Sequence, residues 1–242
     1  MRWLPASAVT TIEGAGRFVV DVGLALLFPA DRITAPSLWE AVAGEDAEPF
    51  AAGMGEAESR VWAWKDELPR EGLAWYGRFL YRRGSLLSPS LLAALYPGRG
   101  DMSDHRLLEL SREAHEIAEA LIPGPLTTAA LRQLVGDRSR YDRGMSELQR
   151  SLLVTSAGVE QRGAGWPAGV VDLTCRLFDV GAGVNRAHAT TRFLQTVLRA
   201  TPRELSRAYG WPVTVARDEL DRLVASGVAV GSSRTGYDVA GR

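Results

Sequence analysis

Between Thr201 and Tyr237 the apolar positions fall twice at helical spacing and then at strand spacing. Thr201, Pro202 and Glu204 make a helix start: a capping hydroxyl, a proline at the first helical position and a carboxylate that can bond back. Leu205 and Tyr209 follow one turn apart, and Gly210 offers the left-handed residue that ends the helix. After the tight turn Trp211-Pro212, a second helix from Thr214 carries Val215, Leu220, Leu223 and Val224 on its buried stripe and stops at Gly227. Val228 to Val230, the turn from Gly231 to Gly236, and Tyr237 to Val239 read as a two-stranded ribbon. Helix, turn, helix, ribbon is the plan of a winged helix-turn-helix, with Thr214 to Arg222 as its recognition-type helix. That plan serves both DNA contact and protein-contact or spacer roles, so the pattern leaves both open.

The same pattern occurs once before. Thr127 and Thr201, Leu131 and Leu205, and Gly136 and Gly210 match at an offset of 74 residues, and Tyr141, Leu148 and Leu152 match Val213, Leu220 and Val224 at 72. Val154 to Gln161 and Trp166 to Asp172 supply a wing around Gly163-Ala164-Gly165. A duplicated unit is more informative than either copy alone, and it predicts tandem winged helices.

Further upstream, Thr10 with Glu13 forms a capping box before an apolar helix over residues 15–27, and Ser37 with Glu40 forms another before a short helix ending at Gly44. Ser59 to Trp64 alternates and predicts a strand closed by Pro69; Leu73 to Arg83 is a strand or short helix, and Ser88-Pro89 starts a helix to Tyr96. Pro97 to Asp104 is the expected linker, followed by one amphipathic helix from Asp104 to Leu121. His105 and His115, ten residues apart on it, are poorly spaced for a shared metal and read as solvated or capping residues. The fold class is therefore mainly α with small β-ribbons, in three units: an N-terminal winged-helix-like unit over 1–97, less regular than the rest, a first clear winged helix over 104–175 and a second over 185–242.

Composition narrows the classes. Hydrophobic content of 46% and a mean hydropathy of −0.07 suit a soluble globular chain with a full core. The longest apolar run, Val19 to Pro29, is interrupted by Asp21 and lacks the features of a secretory signal, so the expected location is the cytoplasm with no membrane partner. One cysteine, Cys175, supports neither a disulfide framework nor a cysteine zinc site, and no metal or cofactor is expected. Lys65 is the sole lysine, a bias in keeping with a GC-rich bacterial genome. Net charge of −1 argues against a non-specific DNA binder, yet the distribution is uneven. Residues 40–71 hold nine acids against three basic residues, whereas residues 185–242 hold nine arginines against five acids. Binding of nucleic acid by one face fits that asymmetry.

The residues Pro36-Ser37-Leu38-Trp39-Glu40-Ala41-Val42, then Val61-Trp62-Ala63-Trp64-Lys65-Asp66-Glu67-Leu68-Pro69, then Trp75-Tyr76-Gly77 resemble AlkZ-related winged-helix proteins, relatives of the AlkZ/YcaQ DNA glycosylases. Gly124-Pro125-Leu126, Leu131-Arg132 and the stretch from Tyr141 to Gln149 fit the same pattern, so the resemblance runs over about residues 10–240. It implies tandem winged helices around a DNA-binding concavity. In the glycosylases resembled, catalysis rests on a glutamine, an apolar residue and a second glutamine or an aspartate. The counterpart here, Gly23-Leu24-Ala25-Leu26-Leu27-Phe28, puts Leu26 and Phe28 at the polar positions, and neither can position a water.

Three readings of function follow. In the first, the chain binds double-stranded DNA without the glycosylase pair, through Arg138, Arg140 and Arg143 on the first recognition-type helix and Arg217 and Arg234 on the second helix and its wing. In the second, it is a repair glycosylase for alkylated or crosslinked bases that uses Lys65, Asp66 and Glu67, with Trp62, Trp64 and Trp75 stacking on a damaged base. Equally, an adjacent lysine, aspartate and glutamate can be a solvated strand end, and tryptophans two apart can be core. The third reading is a sensor or sequestering protein with a small molecule in an aromatic N-terminal pocket.

Overall fold

The computed structural model describes residues 3–161 and 167–241. Three sheets of three strands organise it, each sheet flanked by helices in the same chain order. The first unit runs α1 (Ile12–Val22), β1 (Leu24–Leu26), α2 (Leu38–Ala43), α3 (Glu56–Arg70), β2 (Trp75–Arg78) and β3 (Gly84–Leu87). After α4 (Pro89–Leu95) comes the second: α5 (Arg112–Leu121), β4 (Leu126–Thr127), α6 (Thr128–Val135), α7 (Arg138–Arg150), β5 (Val154–Glu160) and β6 (Ala168–Leu173). Past the single turn α8 (Thr174–Leu177), the third repeats the order as α9 (Arg186–Val197), β7 (Arg199–Ala200), α10 (Pro202–Tyr209), α11 (Val213–Ala225), β8 (Ala229–Ser232) and β9 (Gly236–Val239). All pairings are antiparallel, and in each sheet the last strand lies between the other two. The N-terminal third thus repeats the element order and strand order of its successors. The wing turn expected at Gly163-Ala164-Gly165, with Trp166, lies outside the described residues.

Several local expectations change, each for a physical reason. The apolar stretch after Thr10 is not one helix to Leu27: α1 is capped by Thr11, whose hydroxyl accepts from Gly14 N at 3.1 Å, and it stops where Gly23 takes a φ of 81°. Leu24 to Leu26 then form a strand pairing with Leu87 to Ser85. Ser59 to Trp64 is no strand but the middle of α3, because the periodicity over a longer window is helical: Val61, Trp64 and Leu68 are the buried apolar positions. The expected helix from Asp104 to Leu121 is broken. A short 3₁₀ turn covers Asp104–Leu107, and Ser111 then caps α5, accepting from Ala114 N while its hydroxyl donates to Glu147 of α7 at 2.5 Å. The preceding connection is tightly held rather than loose. Buried Asp104 accepts from Tyr96 Oη at 2.9 Å and from the amides of Arg99, Gly100 and Asp101.

The internal duplication is real, but its register differs from the expected one. The first helices match at 74 residues, through Thr127 and Thr201, and Gly136 and Gly210, as capping residues. The second helices match at 75, not 72: Tyr141, Gly144, Met145 and Leu148 are buried on α7, and Ala216, Glu219, Leu220 and Leu223 are buried on α11. Val213, the expected partner of Tyr141, is 48% exposed. The cause is the turn, where Gly210-Trp211-Pro212 is one residue longer than Gly136-Asp137.

The three units share a core. Leu24, Trp75 and Leu87 of the first, Ile117 and Leu148 of the second, and Phe193, Leu220 and Tyr237 of the third belong to one buried cluster, while α1, α2 and α3 enclose a second. Trp75 Nε1 donates to Thr174 Oγ1 at 3.0 Å, and Tyr209 joins the first wing to the third unit by packing on Phe79, Phe193 and Trp211. Among the described residues no helix is long and apolar enough to cross a membrane.

Candidate nucleic-acid interface

In each unit the second helix of the helix-turn-helix, α3, α7 or α11, occupies the recognition position. The one in the first unit is mostly spoken for. Its C-terminal half packs on β5 of the second unit, where Asp66 Oδ1 accepts from Ser156 Oγ at 2.5 Å and Asp66 Oδ2 from Lys65 Nζ at 2.5 Å. The seam continues along β2: Thr155 Oγ1 donates to Tyr76 O at 2.9 Å and accepts from Tyr76 N, and Arg78 N donates to Gln149 Oε1 at 3.2 Å.

A cleft of about 220 Å³ opens on this seam, below the ~300–1,000 Å³ usual for drug-sized ligands. Lys65, Tyr76, Arg132, Tyr141 and Gln149 help to line it. The Lys65 ammonium lies 4.9 Å from the Trp62 ring centre and 5.9 Å from that of Tyr76, so two aromatic faces and one carboxylate hold the charge. Burial, and then the Asp66 charge, pushes the Tyr76 phenol up to about 12, which keeps it a neutral donor. Across the cleft the Arg132 guanidinium lies 5.2 Å from the centre of the Tyr141 ring. Arg132 has no ion-pair partner among the described residues. In the sequence it stood out only as part of the Leu131-Arg132 pair that fits the family pattern.

The structure therefore sorts the candidate chemistry. Lys65 and Asp66 enter the cleft, and Glu67, on the other side of α3, does not line it. Lys65 and Asp66 are already committed to each other and to Ser156, so the arrangement favours holding a charge over covalent chemistry. Trp64 and Trp75, at 6% and 0% exposed, are core residues and cannot stack on a base; Trp62, at 48%, is the open ring. Leu26 is fully buried in β1, and Phe28 packs against Trp39 and Phe50 at ring separations of 5.8 and 4.9 Å. Both positions are walled by hydrocarbon. His105 is buried rather than solvated: its Nε2 faces Glu119 Oε1 at 2.9 Å and its ring meets His115 edge-on. No cluster of three or more metal-ligating side chains occurs among the described residues.

The expected arginines also divide. Arg138 is 86% exposed, with Asp142 at 3.8 Å. Arg143 is exposed on the same helix, and Arg217 and Arg234 are exposed on α11 and the third wing, with Asp218 3.7 Å from Arg217. Arg140 is different. Its Nε donates to Glu113 Oε1 at 2.7 Å and ties α7 to α5, and this bond holds the Glu113 carboxyl below its ordinary value.

Comparison with known proteins places the whole arrangement. No curated protein matches the sequence. Among solved structures, the Streptomyces sahachiroi DNA glycosylase AlkZ superposes with a TM-score of 0.55 at 15% identity. The match covers 98% of this chain and 66% of that one, so the chain spans just under two thirds of the glycosylase's length. The family described as AlkZ related matches over residues 9–209, which is most of the sequence, and the chain belongs to that family.

Proposed function

We propose that this protein binds double-stranded DNA through the outer faces of its second and third units and does so without the base-excising pair of the glycosylases it resembles. One observation carries the reading. The buried stripe of α7 (Tyr141, Met145, Leu148) leaves Arg138 and Arg143 facing solvent, and the stripe of α11 leaves Arg217, at the position that matches Asp142, facing solvent too, with Arg234 on the adjoining wing. Arginine's planar fork suits phosphate pairs and guanine edges. The nearby Asp142 and Asp218 offset part of that charge, so affinity is modest and falls steeply with salt. The fold of a DNA glycosylase supports the partner class, and the divisions 104–175 and 185–242 are read as the two DNA-facing modules.

The test is a duplex titrated at several salt concentrations against the wild type and an Arg138→Ala/Arg143→Ala/Arg217→Ala/Arg234→Ala variant. Each lost phosphate contact flattens the logarithmic salt slope by about one unit. An unchanged slope and affinity in a folded variant would show that these helices do not meet DNA. Release of free base from alkylated duplex is not expected, because Leu26 and Phe28 offer no water-positioning group and the Lys65–Asp66 pair is self-satisfied. Base release abolished by Lys65→Ala would reinstate a glycosylase.

A further inference from the structure

A second opening, of about 340 Å³, lies away from the recognition-type helices, between the loop after β1 and the third unit. Arg32, Thr34 and Tyr81 line it from the first unit, and Arg199, Glu204 and Arg207 from the third. Three arginines thus border a cleft whose lining holds one carboxylate. That carboxylate is already committed, since Glu204 Oε2 accepts from Thr201 N at 2.7 Å and Thr201 Oγ1 at 2.9 Å to start α10. Arg199 is anchored by the third wing, donating to Thr235 O at 2.5 Å and lying 3.8 Å from Asp238 Oδ2. Arg32 and Arg207 are exposed and have no ion-pair partner among the described residues.

Backbone conformation marks the same place. Six described residues other than glycine have positive φ: Arg32, Phe50, Tyr81, Arg82, Leu152 and Leu198. Arg32 and Tyr81 line the cleft, and Arg82 and Leu198 directly adjoin lining residues in the chain. None is an asparagine, aspartate or glycine that takes this conformation readily, so each costs on the order of 1–3 kcal/mol, and such strain gathers at ligand sites. In the wing, two successive left-handed residues turn the Tyr81 ring toward the third unit, with burial holding its phenol neutral at up to about 12.

We propose that this cleft is a phosphate site, with Arg32 and Arg207 as its free donors and Arg199 fixed beside them. A pair of guanidinium forks from separate units matches the several oxygens of one phosphate and makes charge-assisted hydrogen bonds of the stronger kind. Two sources supply that chemistry, a phosphorylated small molecule or a backbone phosphate of nucleic acid. The site does not depend on the arginines of α7 and α11.

The experiment is calorimetric titration of the full chain with inorganic phosphate and, separately, with a duplex oligonucleotide. The proteins are the wild type, Arg32→Ala/Arg207→Ala, the charge-retaining Arg32→Lys/Arg207→Lys, and Arg112→Ala as a remote exposed control. The alanine pair weakens binding by about tenfold or more, the lysine pair by less, and the control is unchanged, with circular dichroism confirming the fold of each. If only inorganic phosphate binding falls, the source is a small molecule; if only duplex affinity falls, it is a backbone phosphate. Phosphate binding by a wild type that ignores duplex would keep this site and remove the DNA reading. If neither ligand distinguishes the alanine pair from wild type, the proposal is overturned.

Discussion

Helices α3 and α7 hold the same place in successive units, yet they have opposite relations to solvent. The outer side of α3 is drawn into the seam with β5, where Asp66 meets Ser156 and Lys65 is enclosed by Trp62 and Tyr76. Helix α7 borders the same seam through Asp142, Ser146 and Gln149 but leaves Arg138 and Arg143 open to solvent. One topology thus yields a helix used as mortar and a helix free to meet a partner. Position in a fold does not assign a role; the side chains and what covers them do.

The largest effect should come from breaking the mortar. Asp66→Ala leaves the Lys65 ammonium, with a side chain only 15% exposed, without its carboxylate. Removing one member of a buried pair is costly because the other charge stays behind, and for this partly exposed pair we expect a loss of roughly 2–3 kcal/mol in urea unfolding. Lys65→Met should cost less, because the Asp66 carboxylate it leaves behind keeps the hydrogen bond from Ser156 Oγ. A loss under about 1 kcal/mol for Asp66→Ala would mean that the two units do not depend on this seam.

On the open helix the effects are smaller and separable. Arg138→Ala and Arg143→Ala should each flatten the salt slope of duplex binding by about one unit with little change in stability. Arg140→Ala should leave the slope alone and instead loosen α7 from α5, because its guanidinium is spent on Glu113. Equal slopes for all three single variants and wild type would erase the distinction between the open helix and the covered one.

How far the sequence carries this comparison is instructive. The caps at Ser37, Thr127 and Thr201 and the stops at Gly44, Gly136 and Gly210 act within a few residues, so they were legible and sit where expected. The strand reading of Ser59 to Trp64 failed because alternation over six residues fits two periods, and only Leu68, further on, separates them. The seam was out of reach. Asp66 and Ser156 are ninety residues apart, and nothing local in either segment announces the other. Arg140 looked the equal of Arg143 for the same reason, since Glu113 lies on another helix. What sequence could not give was which charges are already paired across elements, and that decides which are available.

The smallest expected effect concerns acid. Helix α5 carries two carboxylates that stitch the second unit. Glu113 is held below its ordinary value of 4.5 chiefly by the hydrogen bond from Arg140, and Glu119 is held at about 2 by the bond from Arg106 and then that from His105. Both folded values lie under the unfolded ones, so the unfolded chain binds protons first as pH falls. The stabilisation is therefore complete above about pH 4.5 and is lost progressively as pH falls toward 2. Glu119 is exposed and Glu113 half-buried, but each pairs with an exposed arginine, and screening keeps the contribution small. Urea midpoints measured from pH 6 down to about pH 2.5 should decline through that window. In Arg106→Ala the part of the decline owed to Glu119 should shrink, and in Arg140→Ala the part owed to Glu113. If both variants kept the wild-type pH profile, α5 would be held by its apolar stripe alone, and the pairing that sets Arg140 apart from Arg143 would have no energetic content.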